Sequence, residues 1–336
     1  MKVLAIETSC DETAAAVVED GRRVLSSVVS SQTDIHADFG GVVPEIASRA
    51  HLDLFAPVVG EALSRAGTAP AELAAVAATI GPGLIGSLLV GVSAAKAYAW
   101  SWGVPFVGVN HMEGHLHAAF LEDPALSSPM VVLLVSGGHT MLICMRDSAP
   151  GQYLMLGQTI DDAAGEAFDK VARFLGLGYP GGPAIEALSR HGSPDAISFP
   201  RGLAGNGYDF SFSGLKTSVV RYVRAHPGAD LADVAASFQE AVVDVLVAKT
   251  RRAAAEMGAK AVCIGGGVAA NTALRERLRQ VCRQDGRAAF LPSRAMCTDN
   301  AAMIGATAWY RLQADGPTPL DAPVDPNLKL PLLSPT

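Results

Sequence analysis

KVLAIETSCDETAAAVVEDGR, residues 2–22, places a polar turn between two apolar runs and reads as strand, turn, strand. MVVLLVSGGHTMLICMRD, residues 130–147, repeats the plan. Each turn is built of Ser, Thr, Gly and a charged or His residue, so it can present backbone N–H groups and hydroxyls to an anion. Two such hairpins, each opening a half of the chain, imply a duplicated α/β unit. Its two lobes would enclose a nucleotide cleft.

The stretches between them alternate in the way this architecture requires. Residues 74–111, AAVAATIGPGLIGSLLVGVSAAKAYAWSWGVPFVGVNH, read strand, glycine turn, helix, strand. Residues 259–284, AKAVCIGGGVAANTALRERLRQVCRQ, read apolar strand, three glycines, amphipathic helix. In such folds ligand loops sit at the carboxyl ends of strands. The expected division is an N-terminal lobe of 1–130, completed by a helix returning from 299–325, and a C-terminal lobe of 131–298.

Composition is globular, with 49% hydrophobic and 18% charged residues among 336. Met1 and Lys2 run directly into VLAIET, a buried strand rather than the start of a signal peptide. The most apolar stretch, from Gly86, contains Lys96 and breaks at Gly103 and Pro105, so it is helix, turn and strand, with no membrane span expected. Five widely spaced cysteines without a Cys-x-x-Cys fit a reducing cytoplasm.

The net charge of −7 conceals an asymmetry. Residues 1–130 hold 6 Lys+Arg against 14 Asp+Glu, whereas 201–296 hold 14 against 8. On the helix after the triple glycine, Arg275, Arg279 and Arg283 recur four apart and would share one face, either solvated or presented to phosphates.

His111 and His115, also four apart, would project from one face of a helix. A zinc-protease helix has a comparable pair, but there the glutamate directly follows the first histidine, and Glu113 stands one place too far along. Without a third ligand the pair is equally an ordinary polar face. His117 reads as a surface residue or a neighbour of the ligands.

Seven motifs in register make the resemblance specific: IETSCDETAAAV, NHMEGHLHAAF, LVSGGHT, DDAAGEAFDKVARFLGLGYPGGP, FSFSGLKT, GGGVAANTALR and CTDNAAMIG, from residue 6 to residue 305. Together they resemble the TsaD/Gcp/Kae family of tRNA N6-adenosine threonylcarbamoyltransferases. The resemblance implies the actin, sugar-kinase and Hsp70 (ASKHA) fold. It also implies one divalent metal, iron ahead of zinc, held by His111, His115 and Asp299. Threonylcarbamoyl-AMP would be met by Leu134, Val135, Ser136, Gly137 and Gly138 on its phosphate side. Asp169, Gly182 and Glu186 would meet its ribose, and Asn271 its adenine. Without the resemblance, Asp299 is an N-cap, Asn271 another, and Asp169 an i,i+4 partner of Arg173, as Glu166 is of Lys170.

Asp11 and Glu12 are poor residues to aim at a phosphate and better suited to orienting or deprotonating an incoming amine. The family resemblance implies transfer of threonylcarbamoyl from its adenylate to N6 of an adenosine adjacent to the anticodon, in tRNAs reading codons that begin with A. TsaB and TsaE would assist, and TsaC would supply the adenylate. The alternatives are a metalloprotease and an ATP-dependent kinase-like module of the same fold. Ala301 and Ala14 stand where the family commonly has glycine, which questions the local backbone if either needs φ > 0.

Overall fold

The structure, a computed structural model, describes residues 1–333 apart from 38, 124, 125, 127, 148 and 206. The chain forms two compact units: Met1–Leu126 with Ser148–Gln152 and Thr298–Thr336, and Ser127–Asp147 with Tyr153–Cys297.

The first unit runs β1 (Lys2–Glu7), β2 (Glu12–Glu19), β3 (Arg23–Ser31), α1 (Thr33–Ala37), α2 (Pro44–Ala66), β4 (Leu73–Gly81), α3 (Ile85–Trp102), β5 (Phe106–Asn110) and α4 (His111–Glu122). The second contains β6 (Met130–Val135), β7 (Thr140–Met145), β8 (Tyr153–Gln158), α5 (Ala164–Phe174), α6 (Gly181–Ser189), α7 (Ser213–Ala225), α8 (Leu231–Glu256), β9 (Ala261–Gly265), α9 (Thr272–Gln284), β10 (Ala288–Phe290) and α10 (Arg294–Cys297). α11 (Ala301–Ala314) then completes the first unit.

The duplication is explicit in the sheets. Among the described residues one sheet has the order β3-β2-β1-β4-β5 and the other β10-β9-β6-β7-β8, the same order written backwards. In each, an antiparallel meander of three strands is extended by two parallel strands brought in through helices. The 2–22 and 130–147 hairpins are the first two strands of each repeat.

The central strands are apolar without alternation because both their faces are covered. β6, MVVLLV, is buried at every position, and Val3, Leu4 and Ala5 of β1 have no exposed surface. α11 is almost wholly buried, and it packs on β1, β2 and α4. Gly114 permits the close approach of α4 to α11, since a Cβ there would lie 2.8 Å from Ile304 Cδ1.

Ala14 lies within β2 and Ala301 opens α11, both buried, and neither has a positive φ. The substitutions therefore cost these segments no backbone strain. Among the described residues no helix is long and apolar enough to cross a membrane.

Candidate metal centre and anion-facing loops

α4 begins directly after the last residue of β5. Asn110 makes the transition, its Oδ1 accepting from the Met112 N–H at 2.9 Å as the helix cap. With the helix started there, the His111 and His115 rings lie one turn apart, their centroids 4.8 Å from each other and their planes at 87°.

Asp299 comes from just before α11. Of Thr298, Asp299 and Asn300, each of a type able to cap that helix, Asn300 does so, its Oδ1 accepting from the Met303 N–H at 3.1 Å. Asp299 is left to face the imidazoles: its Oδ1 lies 3.2 Å from His115 Nε2 and 3.4 Å from His111 Nε2. One ligand atom from each of the three residues falls within 4.8 Å of the others.

Behind this trio stands Glu7, which has no exposed surface. Its Oε1 accepts from the Ser9 N–H and its Oε2 from the Thr79 hydroxyl, both at 2.5 Å, and Oε2 lies 3.1 Å from His111 Nδ1. Ser9 Oγ is 3.2 Å from the same nitrogen. A carboxylate on the far nitrogen of an imidazole fixes its tautomer and orients its Nε2, a recurrent support for metal-ligating histidines.

Electrostatics point the same way. Burial alone would push Glu7 up and His111 down. The charge of His111 nevertheless holds Glu7 below the usual carboxylate range, while Asp299 and Glu7 hold His111 well above the ordinary imidazole value. Burial likewise opposes ionisation of Asp299, and the two histidines overcome it and hold its carboxyl far down. Glu12, nearby, responds in the opposite direction: burial, then the charges of Asp299 and Asp11, push it up to about 9.

Glu7 and Asp299 flank the imidazoles, and the charge of Asp299 helps to push Glu12 up, a local excess of negative charge that a divalent cation would relieve. The donor set fits such an ion: two Nε2 atoms and a carboxylate oxygen converge, as in catalytic sites that keep coordination positions open. Cys10 is no nucleophile at neutral pH, because burial and Asp11 push its thiol far up.

One expectation holds here and one changes. Glu113 is turned from the histidines into α11 and is bound by Arg311, so it is not available as the base of a metalloprotease. His117 is no surface residue: it is fully buried, its Nδ1 3.1 Å from Thr307 Oγ1 and its ring stacked on Tyr310. Its four-residue offset from Glu113 points it at α11 rather than at the ligand pair.

The residues expected to meet the adenylate all belong to the second unit. Leu134 and Val135 are buried at the end of β6, and Ser136, Gly137 and Gly138 turn out of it, both glycines exposed. Ser136 closes the turn by donating its N–H to His139 O at 2.8 Å and accepting the His139 N–H on Oγ at 3.1 Å. The Gly165 N–H donates to Ser136 O at 3.2 Å and ties the turn to α5.

Asp169 on α5 accepts the Gly181 N–H at 2.7 Å, beside half-buried Gly182, and burial pushes its carboxyl up. Glu186 of α6 accepts from the Thr272 hydroxyl at 2.6 Å, and Glu166 pairs with Lys170 as its spacing predicts. Asn271 caps α9 through the Leu274 N–H at 3.0 Å, and its amide donates to Gln239 Oε1 at 2.7 Å. A continuous run of contacts therefore links the segments after β6 and β9 with α5 and α6.

Arg275 leaves the expected arginine face. Its guanidinium donates to the carbonyls of Ala269, Leu291 and Pro292 at 2.8–3.1 Å, whereas Arg279 and Arg283 are exposed.

A duplicated ASKHA fold bearing a His–His–Asp centre defines the class. Solved structures share the fold at low identity: component A of the (R)-2-hydroxyglutaryl-CoA dehydratase of Acidaminococcus fermentans (TM-score 0.54, 16% identity, 93% of this chain and 99% of that one) and T. kodakarensis HypF (0.65, 16%, 93% and 48%). The family model TsaD: tRNA N6-adenosine threonylcarbamoyltransferase matches residues 23–306, and this chain belongs to that family. It is 54% identical to the tRNA N6-adenosine threonylcarbamoyltransferase of Symbiobacterium thermophilum over 331 residues, 98% of this chain and 96% of that one.

Proposed function

We propose that this protein transfers the threonylcarbamoyl group from threonylcarbamoyl-AMP to N6 of the adenosine adjacent to the anticodon, in tRNAs reading codons that begin with A. Family membership supports the reaction. The observation that carries the assignment of the site is the convergence of His111 Nε2 and His115 Nε2 on Asp299 Oδ1, with Glu7 behind His111.

His111, His115 and Asp299 would hold one divalent ion, iron by preference with zinc as the alternative. When bound, it supplies a Lewis acid that polarises the carbamoyl group. In the transfer, N6 forms a bond to the carbamoyl carbon, the carbon–oxygen bond to the phosphate of AMP breaks, and N6 loses a proton. An exocyclic aromatic amine is a weak nucleophile, so positioning must carry much of the rate.

Asp11 is the candidate to orient the amine and take its proton. Glu12, pushed up to about 9, holds its own proton at neutral pH in the metal-free protein, which favours Asp11 for this role. Both are offered by a hairpin pinned from behind, since His51 Nε2 lies 3.0 Å from Cys10 O and Thr13 Oγ1 2.7 Å from His51 Nδ1.

The adenylate would lie along the second unit. Backbone N–H groups of 136–138 would face its phosphate, Asp169, Gly182 and Glu186 its ribose, and Asn271 its adenine, with Leu134 and Val135 supporting the turn. The protein would act in the cytoplasm with TsaB and TsaE, and TsaC would make the adenylate.

The test is incubation with threonylcarbamoyl-AMP and unmodified tRNA, with and without those partners, followed by nucleoside analysis. Threonylcarbamoyladenosine is expected. Its absence from every mixture, with adenylate and tRNA intact, would overturn the assignment.

A further inference from the structure

Residues 316–333 contain no helix, yet between Thr318 and Lys329 they are bonded repeatedly to α3 and to the sheet that ends at the candidate metal centre. The Thr318 N–H donates to Phe106 O at 2.8 Å, and its hydroxyl accepts the Gly108 N–H at 2.9 Å. Lys96 Nζ donates to Ala322 O at 2.5 Å, and the Asp325 N–H to Ile80 O at 2.9 Å. The segment is a strap that starts beside β5 and then crosses the carboxyl ends of β4 and β5.

We propose that this strap positions the metal ligands, acting through Asn110; the proposal rests on the metal reading above. Asn110 uses both ends of its amide. Its Oδ1 caps α4, while its Nδ2 donates to Lys329 O at 3.0 Å and reaches Leu328 O at 3.5 Å. The cap of the helix that carries His111 and His115 is therefore itself held by the strap, and the side chain is only 5% exposed.

A second path reaches the same imidazole from behind. The turn Gly81–Leu84 is held between the strap and Ser9: the Gly83 N–H donates to Pro326 O at 3.2 Å and the Leu84 N–H to Ser9 O at 2.8 Å. The fit at Gly81 admits no side chain, since its φ is +153° and a Cβ would lie 1.9 Å from Asp325 O. Ser9 in turn stands against His111 Nδ1. The strap thus bears on His111 through the start of its helix and through the group behind its ring. Outer partners of this kind typically change metal affinity by about 10- to 100-fold.

The experiment separates the cap from the strap in the full-length protein, using cobalt(II) as the probe. Asn110→Ser keeps a good cap but cannot reach the strap carbonyls, whereas Asn110→Ala loses both. Metal-free melting temperature reports the cap; cobalt affinity and the cobalt visible spectrum report ligand geometry. The expected result for Asn110→Ser is a near-normal metal-free melting temperature, cobalt binding weakened about 10-fold or more, and an altered spectrum. Asn110→Ser with unchanged affinity and spectrum overturns the strap proposal and leaves the metal reading intact. A wild-type protein that binds no stoichiometric cobalt, or a His111→Ala variant that binds it equally well, overturns the metal reading and the strap proposal with it.

Discussion

Glu113 sits between the two metal-candidate histidines in sequence, yet its carboxylate belongs to Arg311 on α11. Arg311 Nη2 lies 2.7 and 2.8 Å from its two oxygens and Nε 3.1 Å from the second. Glu113 is 1% exposed, so its charge needs compensation within the protein, and Arg311 supplies a guanidinium for it. The pair fixes α4 against the helix that follows Asp299, and so connects the packing of two helices to the spacing of the ligands.

Removing one partner should cost far more than removing both. Arg311→Met leaves a buried carboxylate without its guanidinium and should lower stability by about 3–5 kcal/mol, measured by urea unfolding of the metal-free protein. Replacing Glu113 with Gln as well should recover most of the loss. Equal losses in the single and double variants would mean that the pair contributes by shape alone.

His111 and its two carboxylate neighbours predict opposite pH responses with and without metal. In the metal-free protein His111 is raised above its ordinary 6.5, so its contribution to stability is complete below that pH and fades as pH rises through its folded value. Glu7 and Asp299 are lowered from 4.5 and 3.8, so theirs are complete above those values and fade in acid. The stabilisation from His111, Glu7 and Asp299 should therefore be greatest between about pH 4.5 and 6.5. Metal must displace the His111 proton, so added metal should raise the melting temperature more at pH 8 than at pH 6. A metal-induced shift that shrinks as pH rises would contradict this.

How much of this was legible follows from how local each signal is. The hairpins could be read because strand period and turn chemistry lie within twenty residues of sequence. The histidine pair was visible by its spacing, but Asp299 lies 184 positions from His115, and only the family resemblance joined them. Glu7 was missed, although a carboxylate in the otherwise apolar VLAIET was the available clue, since an unpaired charge is rarely buried. Arg275 was misread because four-residue spacing gives a helix face and not what covers it. The strap had no periodicity to read; its bonds are long-range backbone contacts.

Loss of any ligand should abolish both metal and chemistry without unfolding the chain. His111→Ala, His115→Ala and Asp299→Ala should each lose stoichiometric metal by elemental analysis and form no modified nucleoside, with circular dichroism unchanged. A His111→Ala, His115→Ala double variant that retains full metal would reject the trio.

In the second unit, Asp169→Asn keeps an acceptor for the Gly181 N–H while removing a charge able to bind vicinal hydroxyls. Binding of an adenosine adenylate should weaken about 10-fold, as expected when a charged hydrogen bond is removed. A 2′,3′-dideoxy analogue should bind both proteins equally, and a continued difference with that analogue would place the effect on the backbone instead.

Basic surface on α9 gives a prediction for tRNA, and burial decides which arginines to change. Arg251 and Arg287 are paired with Asp285, Arg277 with Glu240 and Asp244, and Arg275 with backbone carbonyls. Among the described residues Arg279 and Arg283 pair with no carboxylate; four apart and exposed, they can meet phosphates without breaking an existing ion pair. Reversing both to glutamate should weaken tRNA binding and lower the slope of log affinity against log salt by about 2, one for each phosphate no longer neutralised. Adenylate binding and melting temperature should not change, because neither side chain is buried. Affinity measured at several salt concentrations decides the matter: an unchanged slope would assign this face to solvent and place the phosphate-binding groups on other surfaces.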